Sequence, residues 1–579
     1  MKLLALVSLT VVSVFADTWC GKPYTAGSPP ILIPPASKFP LPAKSSSPLL
    51  NFQCNPAIKP YIFEEDTTAI FILDAQITDD IGEPFSGVAG RTLYTVSLTT
   101  GTTTLLERGK LVAGSKGTEV VIGLAALSPR LEPYNVSCTA TASDGISYHQ
   151  PALLHYYPPN PHGSITKMDL RTGGLLVRGK GRIGYQPLIP FGFYAAASSY
   201  LAQNLSVIDE ISANGFNIIH PVPPFNNEAS ANAVYDRMEK LGLWLMFDMR
   251  HDYQNLSAVQ AQVDAVKGRS NLLLWYTADE PDGWQHPLNS TSIASRFIRD
   301  IDPYHPISLV LNCFDYYYTE YTIDTDIVMQ DTYPIAINST HSIVWNTECT
   351  DTYGDCGCDD CRPGAGLRNI ALRMDVFRER ARLLSKERAL NVWGVPQAFG
   401  KEMYWPRYPT GREFVAEVVV TLLHGGRGII PWIMPTTAEI TIAGAGFANV
   451  LPELTSIILH PTSSFSLRAS ELDIMEAGIW IPSDGSRGLL LIVNVGGVNA
   501  SLSLDLPRDS YNWKKIFESG TGGSLTIGRT DRNGGLITSG THSTVVVDGY
   551  GALAYTFDVK PYRPLRAHNF LKPFTLFRL

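Results

Sequence analysis

Eight apolar runs, each followed by a stretch of helical periodicity, constrain this chain more than any other feature. They are IPFGFYA from Ile189, FNIIHPV from Phe216, LWLMFDM from Leu243, NLLLWYTADEP from Asn271, PISLVLNCFD from Pro306, TDIVMQDTYP from Thr325, NVWGVPQAFG from Asn391 and RGIIPWIMP from Arg427. A continuous apolar run ended by a turn signal reads as a strand buried on both faces, as in a parallel sheet. The first four begin at near-equal intervals, about one βα unit apart. Between them lie helical stripes: Val259, Val263 and Val266 at i, i+4, i+7, and Val234, Met238 and Leu241 likewise, with Gly242 placed to end that helix. Thr410 and Glu413 form a capping-box pattern opening REFVAEVVVTLLHGG. Eight such units predict a (β/α)8 barrel. The rival, a doubly wound open sheet, lacks a GxGxxG after its first strand.

With 579 residues the chain is too long for one core. Short β-rich runs separated by Gly, Thr and Asp turns (AIFILDAQIT, TLYTVSL, TEVVIGLAAL, NVSCTATASD) predict an N-terminal β-sandwich over 61–160. A second set (AGIWIPSD, GLLLIVNVGG, ASLSLDLP, STVVVDGYGALAYTFDV) predicts a C-terminal β-sandwich over 461–579. The expected class is therefore α/β, a TIM barrel over 161–460 flanked by two sandwiches. Residues 17–60, rich in Pro and Ser, are expected to lie extended across a neighbour.

The amino terminus, MKLLALVSLTVVSVFADTWC, has Lys2, an apolar core from Leu3 to Phe15, and Val14 and Ala16 before Asp17. This is the pattern of a secretory signal peptide over 1–16. No later segment sustains the ~18 apolar residues of a membrane helix, so no membrane span is expected. Sequons at Asn135, Asn204, Asn255, Asn289, Asn338 and Asn499 offer N-linked glycan sites on an export route. Eight cysteines fit an oxidising compartment. For the four crowded into CTDTYGDCGCDDC, Cys349 to Cys361, disulfides are favoured over a zinc knot. A formal charge of -8 without a Lys/Arg cluster argues against nucleic acid as partner. The expectation is a secreted protein, extracellular or in the cell wall.

In a barrel the chemistry gathers at the carboxyl ends of the strands. In order these ends are Tyr194, His220, Asp248 with His251, Asp279 and Glu280, Asn312 and Asp315, Asp331 with Tyr333, Gln397, and Trp432. Acids and amides can hold sugar hydroxyls, aromatics can cover ring faces, and glycosidic cleavage needs two carboxyl groups about an oxocarbenium-like centre. HExxH, GxSxG, a P-loop and a zinc-spaced histidine cluster are missing, and no cofactor or metal is expected. Trp275, Trp284, Trp405, Trp432 and Tyr316 to Tyr318 are candidates either for stacking on a pyranose or for ordinary packing. Arg407 is open between a salt bridge and an acidic sugar. The paired acids of WYTADEPDGW carry a second reading, as caps of the helix that follows, and Asp282 with Gly283 directly after them suits a loop with that duty.

The order of sandwich, barrel and sandwich, the strand 4 motif WYTADEP and the lead-in LVRGKGRIGYQPLIPFGFYA resemble the clan A superfamily of glycoside hydrolases. Uncharacterised secreted fungal glycosidase-like proteins look similar over most of the chain. The resemblance implies hydrolysis of an O-glycosidic bond in a poly- or oligosaccharide, with Glu280 as general acid/base. It also implies an Asn before that acid, where this chain has Asp279, and a glutamate nucleophile ending strand 7, where it has Gln397. A neutral amide cannot attack an anomeric carbon. Three expectations stand side by side. A second carboxylate comes from Asp331, Asp248 or Glu402, with ~6.5 to 9.5 Å between carboxyls for inversion and ~5 to 5.5 Å for retention. Alternatively the substrate's acetamido group replaces the nucleophile, oriented by Gln397 or Asp331. In the last, catalysis is lost and a noncatalytic carbohydrate-binding or cell-wall protein remains on the barrel. Glu280 and Asp331 are the expected catalytic pair, and Asp279, Asp248, His220, Asn312, Tyr333, Gln397, Trp405 and Trp432 the expected substrate-binding residues.

Overall fold

Seven of the eight apolar runs form one parallel sheet in sequence order: β1 (Gly192–Ala196), β2 (Ile218–Val222), β3 (Trp244–Asp248), β4 (Leu272–Asp279), β5 (Ile307–Leu311), β6 (Ile327–Gln330) and β7 (Asn391–Gly394). The eighth bonds to both edges of that sheet. The Gly192 and Tyr194 N–H groups donate to the Ile429 and Pro431 carbonyls at 3.3 and 3.1 Å. The Ile430 and Trp432 N–H groups donate to the Gly394 and Pro396 carbonyls at 3.0 and 3.1 Å. The sheet thus curls round on itself, with the extended segment 429–434 (β8) joining its ends. These are features of a computed structural model that describes residues 17–178, 184–470, 474–507, 510–520, 523–526 and 542–559. The signal peptide expected over 1–16 lies outside the described residues.

Strand alternation divides the side chains between two cores. Ile218, Met246, Tyr276, Val310, Met329 and Trp393 fill the inside of the curled sheet. Ile219, Leu245, Trp275, Leu309, Val328 and Val392 face outward onto the helices. Those helices follow the strands one by one: α1 (Ser206–Ala213), α2 (Glu228–Leu241), α3 (Leu256–Val266), α4 (Ser290–Ile301), α5 (Tyr318–Thr322), α6 (Arg368–Leu383), α7 (Gly411–Leu423) and α8 (Ala438–Ala448). The stripe residues Val234, Met238, Val259, Val263 and Val266 are buried, and Gly242 ends α2 in the left-handed region at φ 73°. Thr410 and Glu413 cap α7 reciprocally, an arrangement that stabilises a helix end by about 1 kcal/mol. Almost every side chain of α7 is buried, because Leu422 and Leu423 share a core with Trp480, Leu489 and Leu491 of the C-terminal sheet.

Two four-stranded antiparallel sheets precede the barrel, sharing a core that includes Phe52, Phe71, Val96, Leu98, Leu111 and Val136. Cys54 of one is bonded to Cys138 of the other. A five-stranded and a three-stranded sheet follow it. In Gly488–Asn494 of the former, Leu489, Leu491 and Val493 pack toward the barrel helices while Leu490 and Ile492 pack toward the three-stranded sheet. Part of the lead-in pairs Leu175–Val177 with Gln186–Leu188 and adds Leu175 and Val177 to the inner core of the barrel. The Pro- and Ser-rich stretch runs across the loops that follow β5 and β6: the Phe39 N–H donates to Asp315, and Lys22 pairs with Asp359 and Asp360 at 2.7 and 2.5 Å.

Candidate active site

Irregular pairing of β4 aims its two acids. Tyr276 pairs with Ser308 and Asp279 with Val310, so one extra residue of β4 is bulged out just before its end. Glu280 then takes φ 48°, a left-handed backbone that costs a non-glycine residue about 1 kcal/mol or more. Asp279 leans toward β3, where Arg250 Nη1 reaches it at 2.7 Å. Glu280 leans toward β5 and β6 and accepts from Asn312 Nδ2 at 3.0 Å.

On the β3 side the charges are matched. Arg250, directly beyond β3, donates Nη1 to Asp279, and its Nε and backbone N–H to Asp248, the latter two at 2.8 Å each. His220 Nε2 meets the same Asp248 carboxylate at 2.8 Å, and the Tyr276 hydroxyl donates to Asp279. Burial works against ionisation of Asp248, yet the Arg250 and His220 charges and hydrogen bonds hold it below the usual carboxylate range. Burial pushes His220 down in spite of Asp248. The guanidinium lies 5.1 to 5.6 Å from the ring centres of Trp432, Tyr194 and Tyr276. Asp248 is therefore committed to an internal ion cluster.

On the β5 and β6 side two carboxyls meet. Asn312 Nδ2 donates to Glu280 Oε1 and, at 3.3 Å, to Asp331 Oδ1, and the two carboxyls also hydrogen-bond one another. Burial first, and then the Asp331 charge, push Glu280 well above its ordinary range. Burial pushes Asp331 up to about 6, its bond from Glu280 opposing the rise. The two carboxyls titrate as a pair, and burial together with their mutual repulsion opposes the doubly ionised form. Asp282, the next acid along, is tied to the N–H groups of Gly283, Asn312 and Cys313 at 2.9, 3.3 and 2.8 Å, and so locks the loop after β4 to the loop after β5. Burial lifts it to about 7, those bonds opposing. Of the acids bearing on Glu280, Asp279 and Asp282 are thus engaged elsewhere, and Asp331 is its partner.

The remaining expected site residues divide. Tyr333 is buried beside the pair, its hydroxyl pushed up by burial and then by the Asp331 and Glu280 charges. Trp432 is partly exposed above Tyr194. Gln397 is fully buried and its amide is spent on backbone: Oε1 accepts from the Ile335 N–H at 3.1 Å and Nε2 donates to the Phe399 carbonyl at 3.2 Å. Its own N–H donates to Glu417 of α7, which burial pushes well above the ordinary range. Trp405 packs among Tyr333, Phe399 and Tyr404 and donates to the Tyr333 carbonyl. Glu402 is exposed in the loop after β7. Trp275 is an outward core residue bonded to Asp302. Arg407 makes a bidentate pair with Glu413 at 2.7 and 2.8 Å.

Sequence reasoning missed Arg250, Asp282 and Trp19. Arg250 was visible as a cation next to the acids of strands 3 and 4. Asp282 was visible only as a capping candidate. Trp19 carried no signal, because 293 residues separate it from Asn312, to whose Oδ1 its indole N–H donates at 2.9 Å. All eight cysteines are paired, as Cys20–Cys313, Cys54–Cys138, Cys349–Cys356 and Cys358–Cys361. Among the described residues the one group spaced for a metal is Cys20, Cys313 and Asp359, and the disulfide occupies both sulfurs.

No family model matches the sequence, and neither does any curated protein. Solved structures similar to the chain include glycoside hydrolases, all at low identity. One described as a glycoside hydrolase has 11% identity and TM-score 0.43, covering 65% of this chain and 94% of its own. A GH30 endoxylanase from Clostridium papyrosolvens C71 has 11% identity and TM-score 0.38, covering 65% and 97%. A family 51 alpha-L-arabinofuranosidase from Bifidobacterium longum has 14% identity and TM-score 0.37, covering 64% and 96%.

Proposed function

We propose that the protein is a secreted glycoside hydrolase, a (β/α)8 barrel between two β-sandwiches, in which Glu280 protonates the leaving glycosidic oxygen and Asp331 is its partner. The observation that carries this reading is the Glu280–Asp331 pair beyond β4 and β6, bridged by Asn312 and with both carboxyls pushed up by burial. A carboxyl kept protonated by burial is what a general acid needs near neutral pH. Asp279, fixed by Arg250, is placed to accept from a sugar hydroxyl, and Trp432 to cover a ring face. Four disulfides and six exposed sequon asparagines support export and glycosylation, and no single described helix is long and apolar enough to cross a membrane.

Carboxyls in hydrogen-bond contact stand closer than the ~5 Å of a retaining pair or the ~6.5 Å and more of an inverting one. Asp331 attacks only if the entering sugar parts the pair. A nucleophile carried by the substrate, such as a 2-acetamido group held by Asp331, requires no parting. The test is turnover of 2-hydroxy and 2-acetamido aryl glycosides and a polysaccharide panel, beside Glu280→Gln. Wild-type turnover that falls by about 10²- to 10⁴-fold in the variant supports the reading. Turnover that survives the substitution refutes the assignment of Glu280. Binding without turnover in both forms supports instead the noncatalytic carbohydrate-binding protein, which the sealed amide of Gln397 favours.

A further inference from the structure

We propose that Trp19 is a positioning residue of the acid pair, brought to it by the disulfide-anchored segment 17–25. This rests on the pair being the working site. The segment forms a short hairpin of Thr18–Trp19 with Lys22–Pro23, bonded through Cys20 to Cys313, the residue after Asn312. Buried Lys22 pins it to Asp359 and Asp360, and Gln285 donates to the Thr18 carbonyl at 3.0 Å. The Trp19 ring lies against Gly283, where a Cβ would overlap the indole, and meets Trp284 edge-on at 5.1 Å.

The chemistry of the contact is directional. An indole N–H only donates, so its bond at 2.9 Å requires the oxygen of the Asn312 amide. The other end of that amide, Nδ2, then has to face Glu280 and Asp331, at 3.0 and 3.3 Å. Trp19 and the two carboxyls therefore hold the amide from opposite ends, and Trp19 secures the orientation in which the pair meets a donor. A donor stabilises the singly ionised pair, whereas an amide oxygen in its place favours the doubly protonated one. Arg373, which donates to the Asn312 carbonyl at 2.6 Å, holds the Asn312 backbone and leaves the amide free to turn. The charged and titratable groups facing the pair are Asp279 and Asp282 from β4 and its loop, Arg373 from α6 and Tyr333 after β6, and none of them fixes the amide.

The test is an infrared titration of the carbon-13 carboxyl-labelled full chain, with Glu280→Gln and Asp331→Asn spectra identifying the bands of the pair. Trp19→Phe keeps the ring and removes the donor; it should raise the lower apparent pKa of the pair by about one unit, the scale of a hydrogen bond to a charged group. Asn312→Ala should raise it similarly, and the double variant no further. Gly283→Ala, which displaces the indole, should reproduce the shift. A Trp19→Phe titration identical to wild type, with or without a shift in Asn312→Ala, overturns the proposal. Titration reads the pair without a substrate, so a failure here is separable from a failure of the hydrolase reading, which Glu280→Gln turnover decides.

Discussion

Replacing Asp331 with Asn isolates the electrostatic half of the site. Two effects now hold the Glu280 proton: burial, which the substitution leaves alone, and the neighbouring carboxylate, which it removes. Like charges ~4 Å apart at an effective dielectric constant of about 20 repel by about 4 kcal/mol, or about 3 pKa units at 1.36 kcal/mol per unit. Glu280 is only partly buried, and solvent screening reduces this to roughly 1 to 2 units. The new amide can also donate to Glu280 and favours ionisation, so both changes have the same sign. Burial remains, so the Glu280 pKa should fall by roughly 1 to 2 units and stay above the ordinary glutamate value. Infrared titration of the labelled glutamates, with Glu280→Gln as blank, measures this directly. In an active preparation the basic limb of the pH–rate profile should move down by the same amount. An unmoved Glu280 titration in Asp331→Asn refutes the pair. A fall to the ordinary value would show that burial contributes nothing and that the site is wetter than described.

Two further outcomes follow from buried charge. Arg250→Ala leaves Asp248 and Asp279 without their shared cation, and should destabilise the fold by about 3 to 5 kcal/mol in denaturant titrations. Asp248 then changes from an acid with a lowered pKa to one with a raised pKa, so the loss should shrink as pH falls toward ~4. His424, 2.9 Å from Asp375 and 3.0 Å from Glu476, resists the lowering effect of burial because those carboxylates raise it to about 10. An unfolded histidine titrates near ~6.5, so this contribution is complete below ~6.5 and is lost as pH rises toward 10. His424→Gln should flatten thermal stability against pH across that window.

The barrel was legible because its evidence is local and repeated. Val259, Val263 and Val266 declare a helix face within eight residues, and apolar runs such as LLLWYTA declare a strand buried on both sides. The strand-end rule then placed Glu280, Asn312, Asp331, Asp248 and His220 at one end before any contact was known. What each does there depends on contacts between strands. Asp248 and Asp331 look alike in sequence, each an acid closing a parallel strand. One is committed to Arg250 and His220; the other meets Glu280. The difference comes from which way the ends of β4 lean, and that follows from a bulge of one residue between Tyr276 and Asp279, which periodicity does not encode.

Gln397 shows the same limit from the other side. Read as a strand end, it stands where a nucleophile would be and its amide looks like a loss. In the fold, both ends of that amide bond backbone groups, of Ile335 beyond β6 and Phe399 beyond β7. A carboxylate here could accept from Ile335, but it would also set a charge against the Phe399 carbonyl in a fully buried site, at a cost of several kcal/mol. The amide fits because it both donates and accepts. Placing an acid there by Gln397→Glu would therefore give a buried, protonated carboxyl facing backbone groups. Under the proposed hydrolase reading the chemistry therefore falls to Glu280 and Asp331, which share the Asn312 amide as donor.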